Sequence, residues 1–392
     1  AIEAPAPKCA SLAVMASSGS SSSSLAPVAI LQSQGGVYDV SFAGASRLLS
    51  GGLEGDATVW DLSDRRPLSS WTASESTVLS IQGLDGGREC LTQGKEGLLQ
   101  LWDPATKSSL WQAHTDACSF ARALVLPSGG EATLDASSAS CCIVSPLAEP
   151  HILGVFDVRA PGKRCDLALA KSAFSPPGGA SMRPDLPASG MCTALCGLPV
   201  LGPTHLLAVY ESTDTCAWDL RFPKEPVVPS VLAGDPAAPA ICAAVMWRQV
   251  WVSCSDGTIH ALKLRPSGQL KRSTGSVVRA APTPYSREAP EAESWQTDKS
   301  GVNMLAVRPD LRLVAGARWD RRVELFDVKT AQSLGRLHCH DAGVLGAAFD
   351  RERGALATAG EDGRIALWGA LSETYAGPVA VGAGASAESR PK

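Results

Sequence analysis

GVLGAAFDRERGALATAGEDGRIALW, residues Gly343 to Trp368, divides into three short apolar runs. Val344 to Phe349 is the first. Ala355 to Ala359 follows the charged turn Asp350 to Arg353, and Ile365 to Trp368 follows Gly360-Glu361-Asp362-Gly363. Apolar runs of about 4–8 residues bounded by Gly and Asp are strand and hairpin signals rather than helical ones. The stretch therefore predicts an antiparallel meander of three strands.

The same ending recurs along the chain. Aligned on their aromatic or apolar end positions, the units close at residues 60, 102, 156, 218, 262, 326 and 368, with separations of 42, 54, 62, 44, 64 and 42. Trp60-Asp61, Trp102-Asp103 and Trp218-Asp219 are literal Trp-Asp pairs, and Phe156-Asp157 and Phe326-Asp327 are Phe-Asp pairs. Units of about 40–45 residues with this ending have the period of a propeller blade. The sequence thus predicts an all-β fold, a seven-bladed WD-repeat β-propeller spanning residues 27–369, with insertions at about 175–190 and 265–300. The last unit supplies only three strands, so Pro27 to Gln32 (PVAILQ) is expected to pair with it as the outer strand, closing the ring and leaving no open sheet edge.

Composition agrees with a β-rich body: 45% hydrophobic and 19% charged residues in 392. A closed ring of repeats is one cooperative unit, so the length does not imply two domains. The net charge of −4 gives no global field for nucleic acid or acidic lipid, and no run of about 18 apolar residues is present to span a membrane. Twelve cysteines form no C-x-x-C motif, and most lie in apolar strand runs where a thiol acts as a small hydrophobe. A reducing compartment, nucleus or cytoplasm, is expected.

Residues 1–26, rich in Ala and Ser, and 370–392, rich in Ala and Gly, are expected to be disordered tails. Met15-Ala16-Ser17 is expected to be the native start. A transit peptide would carry Arg, and the first tail has none. In the third blade SFARALVL (Ser119 to Leu126) reads as the first strand, and in the fifth Gly275 to Ala280 reads as the outer strand.

Candidate chemistry resolves into structure. His340, Thr358, Asp362 and Trp368 are the residue types of a buried hydrogen-bond chain running from Trp through Thr and His to Asp, in which each polar group satisfies its neighbour. The same residues imitate a triad, yet their predicted role is to hold a blade. Asp320 and Asp256 are expected to pin turns, and His114 to anchor blade three. No carboxylate pair, phosphate-cradling glycine loop, nucleophile elbow or H-E-x-x-H is present. The reading is non-catalytic, without cofactor or metal. What remains is a surface for other proteins, with candidate anchors Arg318, Trp319, Arg321 and Arg322 at one turn, Trp247 and Trp251 in blade five, and Trp295 in the long insertion.

Gly301-Val302, Arg308-Pro309-Asp310, the turn GARWDRR from Gly316 to Arg322, and His340 resemble the C-terminal blades of the family containing G-protein β-subunit-like protein 1 and ASTRA-associated protein 1, in a plant or algal type of relative. The resemblance implies a scaffold acting with the triple-T co-chaperone complex in maturation of phosphatidylinositol-3-kinase-related kinases, or with chromatin-linked assemblies. A second reading rests on Asp157 with Arg159 and Asp219 with Arg221. Each pair closes its blade with an aromatic-Asp-x-Arg ending that resembles the motif by which WD-repeat substrate receptors dock on the adaptor of cullin-RING ubiquitin ligases. A Gβ-like signalling scaffold is a third, and the chain shows no N-terminal heptads to support it.

Overall fold

The computed structural model describes residues 25–127, 141–158, 163–168, 190–233, 238–265, 269–279 and 301–369. Both tails, Arg159, Trp295 and the insertion at 175–190 lie wholly or almost wholly outside them.

Short β-branched and apolar runs separated by Gly-Asp turns give seven four-stranded antiparallel sheets. Blade one is typical, with strands Val37–Phe42, Arg47–Gly52, Asp56–Asp61 and Arg66–Thr72 running from the ring's axis outward. Its second and third strands are buried almost throughout because neighbouring blades cover both faces, whereas the outer strand is mostly exposed. The core is accordingly a series of layers between adjacent sheets. One of them joins Leu31, Ala357 and Ile365 of blade seven to Val37, Leu48 and Trp60 of blade one.

Ring closure occurs as the sequence predicts. Ala29–Gln32 runs antiparallel to Arg364–Trp368, with Ala29 opposite Leu367 and Gln32 opposite Arg364. The first strand of the chain is thereby the last strand of the last blade, and neither end of the ring presents an open ladder.

Two expected strands differ in extent. In blade three the innermost strand begins at Leu124, not at Ser119. The Ser119 hydroxyl donates to Cys192 O at 2.6 Å and accepts from Ala121 N–H at 3.0 Å, local bonds that compete with a ladder. In blade five the outer strand runs Leu270–Arg279, absorbing part of what reads as loop.

Two backbone devices repeat around the ring. The turn between second and third strands needs a left-handed residue, which is Gly55, Gly97, Gly257 and Gly363 in blades one, two, five and seven, but Thr213 (φ 71°) in blade four and Arg321 (φ 71°) in blade six. A register shift also follows the first residue of six innermost strands, at Tyr38, Leu79, Thr193, Ile241, Asn303 and Leu345. Each bulge leaves one residue outside the ladder, facing the ring's axis region.

Candidate functional site

Blade seven builds its polar chain from two strands, Leu356–Gly360 and Arg364–Trp368, the turn between them and the loop that enters the blade. Trp368 Nε1 donates to Thr358 Oγ1 at 3.1 Å, and Thr358 Oγ1 lies 3.0 Å from His340 Nε2. His340 Nδ1 lies 3.1 Å from Asp362 Oδ1. Asp362 in turn accepts Asp341 N–H at 2.9 Å and Arg364 N–H at 3.1 Å, which fixes the tight turn. Burial pushes the Asp362 carboxyl up, but these hydrogen bonds outweigh it and hold it below the ordinary carboxylate range. Thr358 is fully buried and bonded to both Trp368 and His340, so the arrangement works as a brace within the blade.

The Trp and Ser/Thr positions of this brace can be followed through every blade. Trp60 Nε1 donates to Ser50 Oγ at 2.8 Å and Trp102 Nε1 to Thr92 Oγ1 at 2.9 Å. Blades five and six have lost both halves, placing Val252 with Leu262 and Gly316 with Phe326. Blade three keeps Ser145 but has Phe156 in place of the Trp. Blade four keeps Trp218 but has Ala208 in place of the hydroxyl. Among the described residues, Ser145 Oγ is buried without a hydrogen-bond partner, and the buried Trp218 Nε1 has only the weakly accepting Cys216 thiol beside it.

At the axis one side chain bridges several blades. Arg122, just ahead of the blade-three innermost strand, donates to the bulged carbonyls Leu79 O (3.3 Å) and Leu345 O (3.2 Å), and lies over the bulged Tyr38 ring at 5.8 Å. It also faces Asp39 Oδ1 at 3.4 Å and contacts Met304 Sδ, so it joins blade three to blades one, two, six and seven. Asp39 accepts Ile81 N–H at 2.9 Å; burial nevertheless pushes its carboxyl up against the pull of Arg122. Arg122 also lines a cavity of about 370 Å³ to which all seven blades contribute.

The expected partner residues separate. Arg318 is 4% exposed and faces inward, donating to Glu324 Oε2 at 2.8 Å and Asp320 Oδ1 at 3.2 Å; it is committed to the blade and is not offered to a partner. Trp319 is half-buried, its Nε1 donating to Asn303 Oδ1 at 2.6 Å, and Asn303 passes the contact to Val344 O at 2.8 Å. Arg321 is exposed, and Arg322 sits opposite His338 on the outer strand. Trp251 is buried edge-on to Phe326, whereas Trp247 is 62% exposed.

On the opposite face Asp219 and Arg221 form a closed pair. Arg221 Nε and Nη2 donate to Asp219 at 3.0 and 2.7 Å, and Thr204 Oγ1 adds a bond at 2.9 Å. Asp219 is buried while the Arg221 side chain is 63% exposed. Burial pushes the Asp219 carboxyl up, and the Arg221 and Thr204 bonds overcome it to leave a pKa of about 2. Asp157 ends the corresponding strand of blade three.

Residues 331–369 match the family model described as WD domain, G-beta repeat. Six of the seven sheets in the ring end their third strand with Trp or Phe, and blade five has Leu262 at that position. The chain is a seven-bladed β-propeller with a WD repeat in its last blade. It is similar to ASTRA-associated protein 1 of Penicillium rubens, 25% identical over 349 residues, covering 77% of this chain and 76% of that protein. Guanine nucleotide-binding protein subunit beta-like protein 1 of Mus musculus is 22% identical over 334 residues, covering 83% and 88%. The β-propeller domain of Myceliophteria thermophila Cps50 (Swd1) superposes with a TM-score of 0.63 at 16% identity, over 87% of this chain and 99% of that one, which is a likeness of fold.

Among the described residues of this WD-repeat chain, no three His, Cys, Asp or Glu side chains come together as metal ligands, and no helix is long and apolar enough to cross a membrane. Sequence reasoning missed Arg122 and the pair Arg318–Glu324. Glu324 inside the apolar run Val323 to Phe326 was the available signal for the second, since a carboxylate between apolar strand residues needs a buried cation.

Proposed function

We propose that this WD-repeat propeller is a non-catalytic scaffold for protein–protein assembly, and specifically a co-chaperone-associated adaptor in the assembly of phosphatidylinositol-3-kinase-related kinases or chromatin-linked complexes. The observation that carries the reading is the extent of the likeness to proteins named ASTRA-associated protein 1. It covers 77% and 80% of this chain in the Penicillium rubens and Verticillium alfalfae proteins, far beyond one shared repeat. The brace in blade seven supports the non-catalytic part, because its polar atoms are spent on each other. Nucleus and cytoplasm are the proposed locations.

Affinity purification of the tagged protein from its own cells, with mass spectrometry of what co-elutes, tests this. Triple-T proteins and large kinases are expected. A cullin and its adaptor without them would instead favour the ubiquitin-ligase receptor, a second reading supported by the exposed, pre-oriented guanidinium of Arg221. Arg221→Ala would then abolish adaptor binding, and under the adaptor reading it leaves the co-eluting set unchanged.

A further inference from the structure

On the face carrying the first-to-second-strand hairpins, blades five and six break the local rule. The hairpin residue with positive φ is glycine in blades one and seven, at Gly44 and Gly354, and in blade two it is the polar Asp85 followed by Gly86 and Gly87. In blades five and six it is Trp247 (φ 54°) and Leu311 (φ 59°). A bulky side chain in this region is strained, because its Cβ crowds the backbone. Neither recovers that cost by burial, since Trp247 is 62% and Leu311 38% exposed. Other turns of the ring put polar residues such as Arg65 and Lys107 in this conformation; what sets blades five and six apart is that the side chain held there is large, apolar and exposed, the residue type of an interface anchor.

The surroundings say what kind of contact. Phe222, 66% exposed on the next loop of blade four, adds a third apolar anchor, with Arg221 at 5.9 Å over its ring. Arg248, Arg312 and Lys329 stand among the anchors. Two of the acids on these loops are paired with cations, Asp219 with Arg221 and Asp310 with Arg308, while Asp327 accepts from neutral Thr330 and Glu225 is exposed, so Arg248, Arg312 and Lys329 outnumber the remaining carboxylates. The loops are also held in place. Leu220 N–H donates to Thr204 O at 3.0 Å, Leu264 N–H to Arg248 O at 2.7 Å and Val328 N–H to Arg312 O at 3.0 Å, tying each hairpin to the neighbouring loop of its own blade. Such a surface loses little entropy on binding.

We infer that this face of blades four to six docks an acidic segment of a partner protein that carries interspersed large apolar side chains, with Phe222, Trp247 and Leu311 as its anchors. The inference rests on the scaffold reading and gives it one surface and one partner chemistry. Nucleic acid fits less well, because an aliphatic anchor such as Leu311 gains little from a phosphate chain and the molecule as a whole carries a net charge of −4.

The test is selection from a random 16-residue peptide library displayed on phage against the purified full chain. Enriched peptides are expected to interleave Asp or Glu with Phe, Leu or Trp. They should bind the Trp247→Gly/Leu311→Gly double variant at least tenfold more weakly. Because glycine relieves the backbone at both positions, that variant's melting temperature should not fall, so lost binding is not lost folding. The inference is overturned if no peptide is enriched, if the enriched peptides are neutral or basic, or if they bind both forms equally. It is also overturned if a 20-nucleotide single-stranded DNA outcompetes them and is itself lost with the double variant. Since no cellular partner is used, such failure leaves the co-elution result for the scaffold untouched, and failure of the scaffold reading appears only in co-elution.

Discussion

Ser145 in blade three and Trp218 in blade four hold the two positions that Thr358 and Trp368 fill in blade seven, and each has kept the half that the other lost. A buried polar atom without its partner costs the full desolvation of that atom, whereas losing both partners together is nearly neutral. Blades five and six took the second course with Val252 and Leu262, and Gly316 and Phe326. The weak blades of the ring by this criterion are therefore three and four.

Ser50→Ala and Ser145→Ala should have opposite consequences although both remove one buried hydroxyl. The first strands Trp60 Nε1 and should lower stability by about 1–3 kcal/mol. The second removes an unpartnered oxygen and should leave stability unchanged or raise it. Denaturant titration of the two variants beside the parent checks the sign. Equal losses would refute the assignment of an orphan at Ser145.

Ala208→Ser should complete the broken pair in blade four. Its new oxygen takes the position from which Ser50 meets Trp60, two residues beyond the cross-strand partner of the Trp. The expected gain is about 1 kcal/mol, the net worth of one internal hydrogen bond. A red shift in the emission of the buried Trp218, alongside the melting temperature, would register the new bond.

The ring was legible because a blade announces itself twice, through an aromatic end residue and a Gly-Asp turn, and both are local. Trp60, Trp102, Trp218 and Trp368 each end a third strand as read, and PVAILQ closes the ring because a three-stranded last blade has nothing else to complete it. What stayed hidden is set by contacts across the ring. In SFARALVL, Arg122 alternates with apolar neighbours as a solvent-facing strand residue would, and only the meeting of five blades shows that it points to the axis. Arg318 reads as surface because it stands in a run of charged turn residues; strand pairing places it opposite Val302, inside the blade.

Arg122→Ala should cost about 3–5 kcal/mol, because it leaves the buried Asp39 without its cation and two bulged carbonyls without a donor. Burial already raises the Asp39 pKa, and without Arg122 it rises further. A raised folded-state pKa favours folding while the group is protonated, and the benefit is lost as pH rises through that value. The deficit of Arg122→Ala should therefore grow with pH above the carboxylate range, and Asp39→Asn in the same chain should recover much of it. A double-mutant cycle across pH 4 to 8 (roughly the span in which such buried carboxyls titrate) measures the coupling. A pH-independent deficit would contradict it.

Arg321→Gly should stabilise the chain by about 1 kcal/mol, the left-handed strain of a non-glycine residue less the chain entropy that glycine adds. Arg321 is exposed at φ 71°, where four other blades have glycine, so little packing is lost. If the variant instead lost stability, the Arg321 side chain would have to make contacts that outweigh its backbone, and the turn of blade six would need a different account.

Arg221→Ala should shift acid unfolding to higher pH. Asp219 has a folded-state pKa of about 2 against an ordinary 3.8, the Arg221 and Thr204 bonds having overcome the upward push of burial. A depressed carboxylate stabilises the fold above the unfolded value, and that contribution disappears as pH falls from about 4 through 2. Without the guanidinium, burial is opposed only by the Thr204 hydroxyl, the backbone N–H at 221 and His205, the folded-state pKa climbs, and part of the stabilisation is gone at every pH above it. Circular dichroism through an acid titration should show the midpoint of Arg221→Ala displaced upward, while Arg221→Lys, which keeps the charge but not the two-pronged contact, falls between the two. An unchanged midpoint would mean that Thr204 and the Arg221 N–H suffice to hold Asp219, and that the exposed guanidinium is free for another use.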